Sequence, residues 1–325
     1  MDLSTTYLGM RLSDPLVVGA GPLGDEMDRV RILEDAGASM IVLRSLYEEE
    51  ITGEQMQEFF SYESYSESFA EASSFAPEPS LALGPDEYLE HLRKIKSAVR
   101  IPVVASLNGS TPGGWLSIAK LIEEAGADAL ELHLFHAASD MSTPAADVER
   151  GFVEIVSEVK RTVKIPVAVK LAPLFTAFAH FAKQLDAAGA DGIVVFTRFA
   201  RADIDVKELE IVRSMTLSDS GDLLMRLRGA AVLADRVKAS IAITGGVHSG
   251  LDVIKATMAG AHATQMVSAL LRHGPNHLSR VRDEIKAWMQ EHEWPSLNEM
   301  RGNMSLGRIP DPAAYERNNF RMALR

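Results

Sequence analysis

The chain has 325 residues, of which 46% are hydrophobic and 24% are charged, the composition of an ordinary globular protein. It contains no cysteine, which excludes disulfides, thiolate catalysis and iron–sulfur ligation by this chain. Residues 1–10 lack the basic start and apolar core of a signal peptide, and no apolar run is long enough to span a membrane. We therefore expect a cytoplasmic protein.

The net charge of −12 comes from one segment. Between Ser45 and Leu92 there are twelve acidic residues and no lysine or arginine, and the remaining 33 of the 45 acids balance the 33 bases. This excess of negative charge argues against nucleic acid as a partner. The acidic excursion, 46–85, is either a solvated surface or, because aromatic residues alternate with its acids, a docking face or lid.

In chain order, residues 3–12 predict a short hairpin, and LVVGAG then predicts the first strand of a larger sheet. A repeated unit follows, in which an apolar strand, a helical stretch, an AGA triplet and another strand succeed one another. It occurs at 101–135, 165–198 and 239–269, and a further AGA triplet precedes the second strand. The predicted strands span residues 16–21, 40–45, 103–108, 129–135, 167–172, 192–198, 241–246 and 263–268.

Eight strands that alternate with helices predict a parallel sheet, and in one domain of this size they favour a closed (β/α)8 barrel, the TIM barrel. No residues are left over that need a second sheet. We predict a single domain over 1–325, with 203–227 as a rim segment or lid and 295–325 as a C-terminal tail. The tail either wraps the barrel or contacts a neighbouring subunit.

In such a barrel, chemistry lies at the carboxyl ends of the strands. The three leucines of ALELHLF share one face toward the helices, so Glu131, His133 and Phe135 share the face toward the lumen. The same alternation directs Lys170 inward between two alanines, which leaves room beside it for a large flat ligand. Lys170 is therefore a candidate for direct contact with a ligand.

The seventh strand ends in Gly245 and Gly246, and the eighth ends in Ser268. Free backbone N–H groups, the absence of a side chain and one hydroxyl donor are what a phosphate group needs. The common phosphate site of these barrels lies after strands seven and eight. A turn without any ligand is the alternative for the glycine pair taken alone.

Five strand ends in this order, GAG, SLNG, VKL, TGG and the closing serine, resemble the FMN-containing dihydroorotate dehydrogenases of the soluble type. The stretches LGPDEYLEHLRKIK, LNGSTPGGW, TGGVHSG, SALLRHGP and NMSLGRIPDPAAYER are still more similar to the dihydroorotate dehydrogenase-like proteins, a branch without an established substrate. The resemblance covers nearly the whole chain.

The resemblance implies FMN across the barrel mouth, with its phosphate on Gly245, Gly246 and Ser268. Lys170 would stand near flavin N1 and O2, where negative charge gathers on reduction. Further cofactor contacts would come from Ala20, Gly21, Ser45, Ser106, His133 and Thr197.

Other readings of these residues remain open. Lys170 is alternatively the partner of Glu131 in a buried ion pair. Ser106 and Asn108 alternatively satisfy loop backbone. Arg44, like Asn108 a candidate for substrate binding, stands where the orotate-reducing enzymes usually carry a lysine. It either reaches an anionic substrate or pairs with the acidic segment.

The departures from the family pattern concern the substrate pocket. His133 stands in place of an asparagine on strand four, and His136 in place of the cysteine or serine base. Ala138 and Thr197 replace two further asparagines. His136 is a candidate general base because imidazole titrates near neutral pH, and a hydrogen-bonded loop residue is the alternative. Because the family's asparagines bind the orotate ring, the resemblance implies a rebuilt pocket.

We predict an FMN-dependent oxidoreductase that acts on CH–CH bonds, with hydride transfer between a small organic substrate and flavin N5. A true dihydroorotate dehydrogenase of pyrimidine biosynthesis, with His136 as base, is the alternative within the family. A flavin-free lyase or aldolase with Lys170 as Schiff-base amine, and a docking subunit of a redox complex, are alternatives outside it. We expect a homodimer, an unidentified electron acceptor, and neither metal ion nor membrane.

Overall fold

A computed structural model describes residues 1–47, 84–109, 115–136, 139–198, 201–214 and 216–316. Nearly all of the predicted acidic excursion, together with Ala138 and the end of the predicted tail, lies outside these ranges. Among the described residues, no helix is long and apolar enough to cross a membrane.

Eight parallel strands close into a barrel in the order β11-β12-β3-β4-β5-β6-β7-β8. They are the eight strands that the sequence predicts, and the TIM-barrel prediction is confirmed. A separate hairpin at the N-terminus, β1 (Thr5–Tyr7) and β2 (Met10–Leu12), is confirmed as well. The barrel strands are β3 Leu16–Val18, β4 Met40–Tyr47, β5 Val103–Gly109, β6 Ala129–Leu134, β7 Val167–Leu171, β8 Gly192–Val195, β11 Ser240–Thr244 and β12 Ala263–Met266.

Helices connect the barrel strands and cover their outer faces, as the alternating pattern predicts. Their apolar sides pack on outward-facing strand residues such as Val167, Val169 and Leu171. The described helices are α1 Met27–Asp35, α2 Pro85–Ala98, α3 Trp115–Glu124, α4 Ala145–Thr162, α5 Phe178–Ala187, α6 Leu223–Leu233, α7 Gly250–Ala259, α8 Ser268–His273, α9 His277–Glu291, α10 Leu297–Met300 and α11 Ala313–Glu316.

The repeated AGAD sequence makes the same structure at each occurrence. Its glycine adopts a left-handed conformation after the helix, with φ of 92° at Gly126 and 98° at Gly189. The aspartate that follows caps the start of the preceding strand: Asp128 accepts from the Val103 backbone N–H at 2.6 Å, and Asp191 repeats the arrangement one unit later. The repeated sequence therefore ends a helix and caps the start of a strand each time it occurs.

The N-terminal hairpin closes the lower end of the barrel. Tyr7, Leu8 and Leu12 are buried inside it among the inward-facing residues of the strands. A Cβ on Gly192 would lie 2.6 Å from the end of the Leu8 side chain, so the absence of a side chain there lets Leu8 pack directly against β8. Because this end is filled, a ligand enters the barrel at the carboxyl ends of the strands.

The prediction that no second sheet is needed was wrong. Strands β9 (Arg201–Asp205) and β10 (Glu210–Ser214) form an antiparallel hairpin after β8. Its turn, VKEL, contains none of the glycine, proline or asparagine residues that signal a turn, and Leu209 itself takes a φ of 57°. The predicted rim segment 203–227 also extends into α6, which begins at Leu223.

Residues 296–309 of the predicted tail lie against the barrel's own helices. Backbone N–H groups of Gly302, Met304 and Leu306 donate to carbonyl oxygens of α7 and α6 at 2.9–3.0 Å. Ser296 also bridges Asp2 at the other end of the chain. Residues 296–309 of the tail therefore wrap the barrel, which is one of the two arrangements that the sequence left open.

Candidate active site

Three polar side chains lie side by side at the ends of the middle strands. In the parallel register, Asn108 of β5 is opposite His133 of β6, which is opposite Lys170 of β7. The Asn108 amide nitrogen lies 2.5 Å from His133 Nδ1. The alternation read from the sequence, with His133 and Lys170 facing inward, is therefore what the structure shows.

Below this row, Glu131 connects Lys170 to the far side of the barrel. Lys170 Nζ donates to Glu131 Oε1 at 3.0 Å, and Gln265 Nε2 donates to Oε2 at 2.6 Å. Only 1% of Glu131 and 7% of Lys170 is exposed. The buried ion pair that the sequence left open is present, and it gives the Lys170 cation a fixed position near the mouth.

The environment of His133 disfavours its protonation. Burial first, and then the positive charge of Lys170, lower the pKa of His133 to about 3. Its Nε2 atom is buried and has no hydrogen-bond partner among the described residues, and the same holds for Gln265 Oε1. These two polar atoms near the mouth thus lack partners among the described residues, and a bound molecule with a donor and an acceptor would satisfy them.

Ser45 and Ser106 meet where β4 and β5 pair, with their hydroxyl oxygens 2.7 Å apart. Tyr88 of α2 supports this contact, because its hydroxyl accepts a hydrogen bond from the Ser106 backbone N–H at 2.9 Å. Arg44 on the same strand lies 3.6 Å from a carboxylate oxygen of Asp25, in the loop after β3. This pair is about one-third exposed and lies at the rim.

At the other side of the mouth, two residues predicted to bind phosphate are joined by a third residue that the sequence analysis did not predict. The Ser218 hydroxyl accepts from the Gly246 N–H at 3.3 Å, and the Ser218 N–H donates to the Ser268 hydroxyl at 3.0 Å. Ser218 is 2% exposed. In sequence it is one serine in a polar loop, and nothing local distinguishes it from its neighbours.

Glycine is required at this end for two separate reasons. Gly245 and Gly246 have φ angles of 82° and 80°, which side-chain-bearing residues rarely adopt. A Cβ on Gly246 would lie 2.3 Å from the Leu223 backbone nitrogen at the start of α6. Arg226, buried behind Gly245, donates to the carbonyl oxygens of Thr244 and Phe196. The glycine pair is therefore held from behind by α6.

The remaining predicted residues border the same mouth. Ala20 and Gly21 follow β3, and a Cβ on Gly21 would lie 3.0 Å from Val267 after β12. Thr197 follows β8, is 7% exposed and donates its N–H to Leu171. His136 follows β6 and is exposed. All the predicted site residues are therefore found at or just after the carboxyl ends of barrel strands.

The donor set fits FMN. A phosphate needs N–H and hydroxyl donors, which the glycine pair and its two serines supply, and a flavin ring needs neutral polar atoms with one cation beside it. The lumen has unpartnered buried polar atoms and one inward-facing lysine. The described residues contain no cluster of three acids or histidines that would hold a metal ion.

The fold is a closed (β/α)8 barrel with its polar groups at the carboxyl ends of the strands, and comparison with known proteins identifies the family. The dihydroorotate dehydrogenase family matches residues 2–289, and the chain belongs to it. The enzymes of this family are oxidoreductases that act on a CH–CH bond, and they are flavoproteins.

Three relatives cover nearly the whole chain at modest identity. A protein of Aeropyrum pernix, named provisionally as dihydroorotate dehydrogenase A (fumarate), is 28% identical over 93% of this chain and 97% of its own. The dihydroorotate dehydrogenase B (NAD(+)) catalytic subunit of Methanocaldococcus jannaschii is 26% identical over 89% and 94%. That of Thermoplasma volcanium is 26% identical over 93% and 98%.

Proposed function

We propose that this chain binds FMN across the barrel mouth and transfers hydride between a small organic substrate and the flavin. One observation carries the proposal. The glycine pair and serines of one side and the Lys170–His133–Asn108 row of the other lie at the ends of strands of one closed barrel. FMN has a phosphate and a ring that accepts charge, and each side of the mouth suits one of them.

The phosphate is bound by backbone N–H groups of Gly245 and Gly246 and by the hydroxyls of Ser268 and Ser218. In the structure the Gly246 N–H donates to the Ser218 hydroxyl and the Ser218 N–H donates to the Ser268 hydroxyl, so a phosphate oxygen would take the place of the Ser218 hydroxyl at Gly246. The left-handed φ angles of both residues, and at Gly246 also the Leu223 backbone behind it, require glycine, and the missing side chains leave the backbone open to a phosphate. Contacts of the flavin ring come from Ala20, Gly21, Ser45, Ser106, His133 and Thr197.

Lys170 acts on the reaction as a fixed charge. Glu131 accepts from its ammonium and is itself held by Gln265, so the cation does not reorganise when negative charge develops next to it. Preorganised charge of this kind stabilises the reduced state of a flavin more than water does. The flavin, when bound, supplies the hydride acceptor.

The substrate lies above the row of middle strands. Asn108 and Arg44 are the substrate-binding residues that we propose, and His136 is the general base, because it is exposed directly after β6. His133 is less suited to accept a proton, since its pKa is lowered to about 3. Dihydroorotate is the substrate if the chain acts in pyrimidine biosynthesis, and another small organic molecule otherwise.

Reoxidation requires an electron acceptor. Relatives from Methanocaldococcus jannaschii and Thermoplasma volcanium carry the name of catalytic subunit of an NAD(+)-type enzyme. We infer that this chain likewise passes electrons to a partner, as a homodimer in the cytoplasm. The acidic residues Glu48 to Glu71, which lie outside the described ranges, are proposed to dock that partner.

The lyase alternative is less favoured by the geometry. A Schiff-base lysine attacks a carbonyl as a neutral amine, whereas Lys170 is used as the cation of a buried ion pair. Borohydride trapping with a carbonyl substrate distinguishes the two chemistries. We expect no covalent adduct on Lys170.

The test is direct. Purified protein should be yellow and should release FMN, and not FAD, on denaturation. Anaerobic addition of dihydroorotate, followed by the visible absorption of the flavin, then tests the substrate. Bleaching supports the true dihydroorotate dehydrogenase, and an unchanged spectrum assigns another substrate. A colourless protein that does not take up added FMN would contradict the proposed function.

A further inference from the structure

The imidazole of His133 has two nitrogens in different situations. Nδ1 lies 2.5 Å from the amide nitrogen of Asn108, on the neighbouring strand β5. Nε2 is buried and has no partner among the residues that the structure describes. An unpartnered buried ring nitrogen is unusual, because leaving such a group without a hydrogen bond costs free energy.

The contact with Asn108 determines which nitrogen carries the proton. An amide NH2 group only donates, so Nδ1 accepts and has no hydrogen of its own. Among the described residues, the charged group that acts on the ring is Lys170 on β7, and Lys170 is itself paired with Glu131. Burial and the Lys170 cation keep the imidazole neutral, with a pKa of about 3. The single proton is therefore on Nε2.

Building on the proposed function, we propose that His133 Nε2–H donates a hydrogen bond to a carbonyl or carboxylate oxygen of the molecule bound at the mouth. Asn108 is then a positioning residue, which fixes the tautomer without touching that oxygen. The shared chemistry is an acceptor oxygen, and its source is either the flavin ring or the organic substrate.

In this role His133 acts only as a hydrogen-bond donor, unlike a side chain that can switch between donor and acceptor. With Nδ1 occupied, the ring presents a donor and no acceptor toward the mouth. A ligand that places an N–H group at this point leaves two donors facing each other, which is unfavourable in a buried site. The residue therefore selects molecules with an oxygen acceptor there.

The tautomer is measurable in protein without any ligand. Nitrogen-15 spectra of histidine-labelled protein distinguish Nδ1–H from Nε2–H, and loss of one signal in His133→Phe assigns it among the nine histidines. We expect a single Nε2–H tautomer. In Asn108→Leu we expect a mixture of both tautomers, and in the exposed control Asn298→Leu the wild-type spectrum. A wild-type proton on Nδ1 would overturn the proposal.

Binding then identifies the source of the acceptor. His133→Phe keeps a ring of similar size and removes the donor, and His180→Phe, on the exposed side of α5, is its control. Loss of one hydrogen bond predicts about tenfold weaker binding. If FMN uptake by apoprotein weakens, the acceptor belongs to the flavin. If only the orotate-induced change in the flavin spectrum weakens, it belongs to the substrate.

Two unchanged affinities in His133→Phe would reject the donor role, even if the Nε2–H tautomer is found. A protein that binds no FMN contradicts the proposed function but leaves the nitrogen-15 result standing, since that measurement needs no ligand. The two proposals therefore fail on different measurements.

Discussion

At the β11–β12 side of the mouth, the polar groups are backbone amides and hydroxyls, whereas at the β5–β7 side they are buried ionisable side chains. Gly246, Ser218 and Ser268 converge through neutral hydrogen bonds. Glu131 and Lys170 are both almost completely buried and neutralise each other. The first side depends on backbone conformation and close packing, and the second depends on charge balance. Substitutions on the two sides should therefore fail for different physical reasons.

The largest effect is expected for Glu131→Leu, on the charged side. It leaves the Lys170 ammonium buried without a counterion, and breaking a buried pair in this way costs about 3–5 kcal/mol. Denaturant unfolding measures the loss. The matched control is Glu90→Leu, which removes a carboxylate 2.6 Å from Lys94 where both side chains are 62% exposed, and its stability should not change measurably.

The double variant Glu131→Leu/Lys170→Met sharpens this result. Replacing both charges by apolar groups of similar size should restore most of the stability, because no uncompensated charge remains. Equal losses in the single and double variants would show that the carboxylate matters through Gln265 and not through Lys170.

Gly246→Ala tests the backbone side. The left-handed φ costs about 1–2 kcal/mol for a residue with a side chain, and the new Cβ would lie 2.3 Å from the Leu223 nitrogen. We expect a total loss of about 3 kcal/mol once overpacking is included, together with loss of bound FMN. Gly9→Ala, with a φ of 75° and nothing within 4 Å of its Cβ, should show the φ cost alone. Equal stabilities of Gly246→Ala and Gly9→Ala would mean that α6 shifts to accommodate the new Cβ without a cost in free energy.

Lys170→Met tests whether the charged side serves the flavin. A unit charge a few ångströms away at an effective dielectric near 20 is worth about 4 kcal/mol, and the Glu131 carboxylate at 3.0 Å offsets part of it. A residual effect of about 1.4 kcal/mol lowers the two-electron flavin potential by about 30 mV. Potentiometry on the FMN-loaded variant measures it; the phosphate side is intact, although the unpaired Glu131 carboxylate should also lower the stability of the variant. An unchanged potential would make Lys170 only the ion-pair partner of Glu131.

The smallest effect is expected for Ser268→Ala. One hydroxyl donor to the phosphate is lost, while Ser218 and the glycine N–H groups remain, so FMN should bind about fivefold more weakly, about 1 kcal/mol. Riboflavin, which has no phosphate, should bind as it does to wild-type protein. Titration of apoprotein with both molecules measures the difference. Equal weakening for FMN and riboflavin would show that Ser268 is not at the phosphate.

The sequence by itself determined the barrel and the positions of its strand ends. Eight apolar strands with a repeated AGA unit leave one arrangement, and period-two alternation directs Lys170 and His133 inward. Local rules suffice for these features because each depends on residues a few positions apart. The β9–β10 hairpin was missed because residues 206–209 of its turn include no glycine, proline or asparagine, and the Asp205 carboxylate that accepts from the Lys207 and Glu208 N–H groups is a weak signal by itself.

Only the tertiary structure decided which polar groups meet. Ser218 joins Gly246, 28 residues away, to Ser268, 50 residues away, and Gln265 reaches Glu131 across 134 residues. The Asn108 contact that sets the His133 tautomer requires the register of two strands. Such contacts follow from closure of the barrel and the stagger of its strands, which no local stretch of sequence encodes.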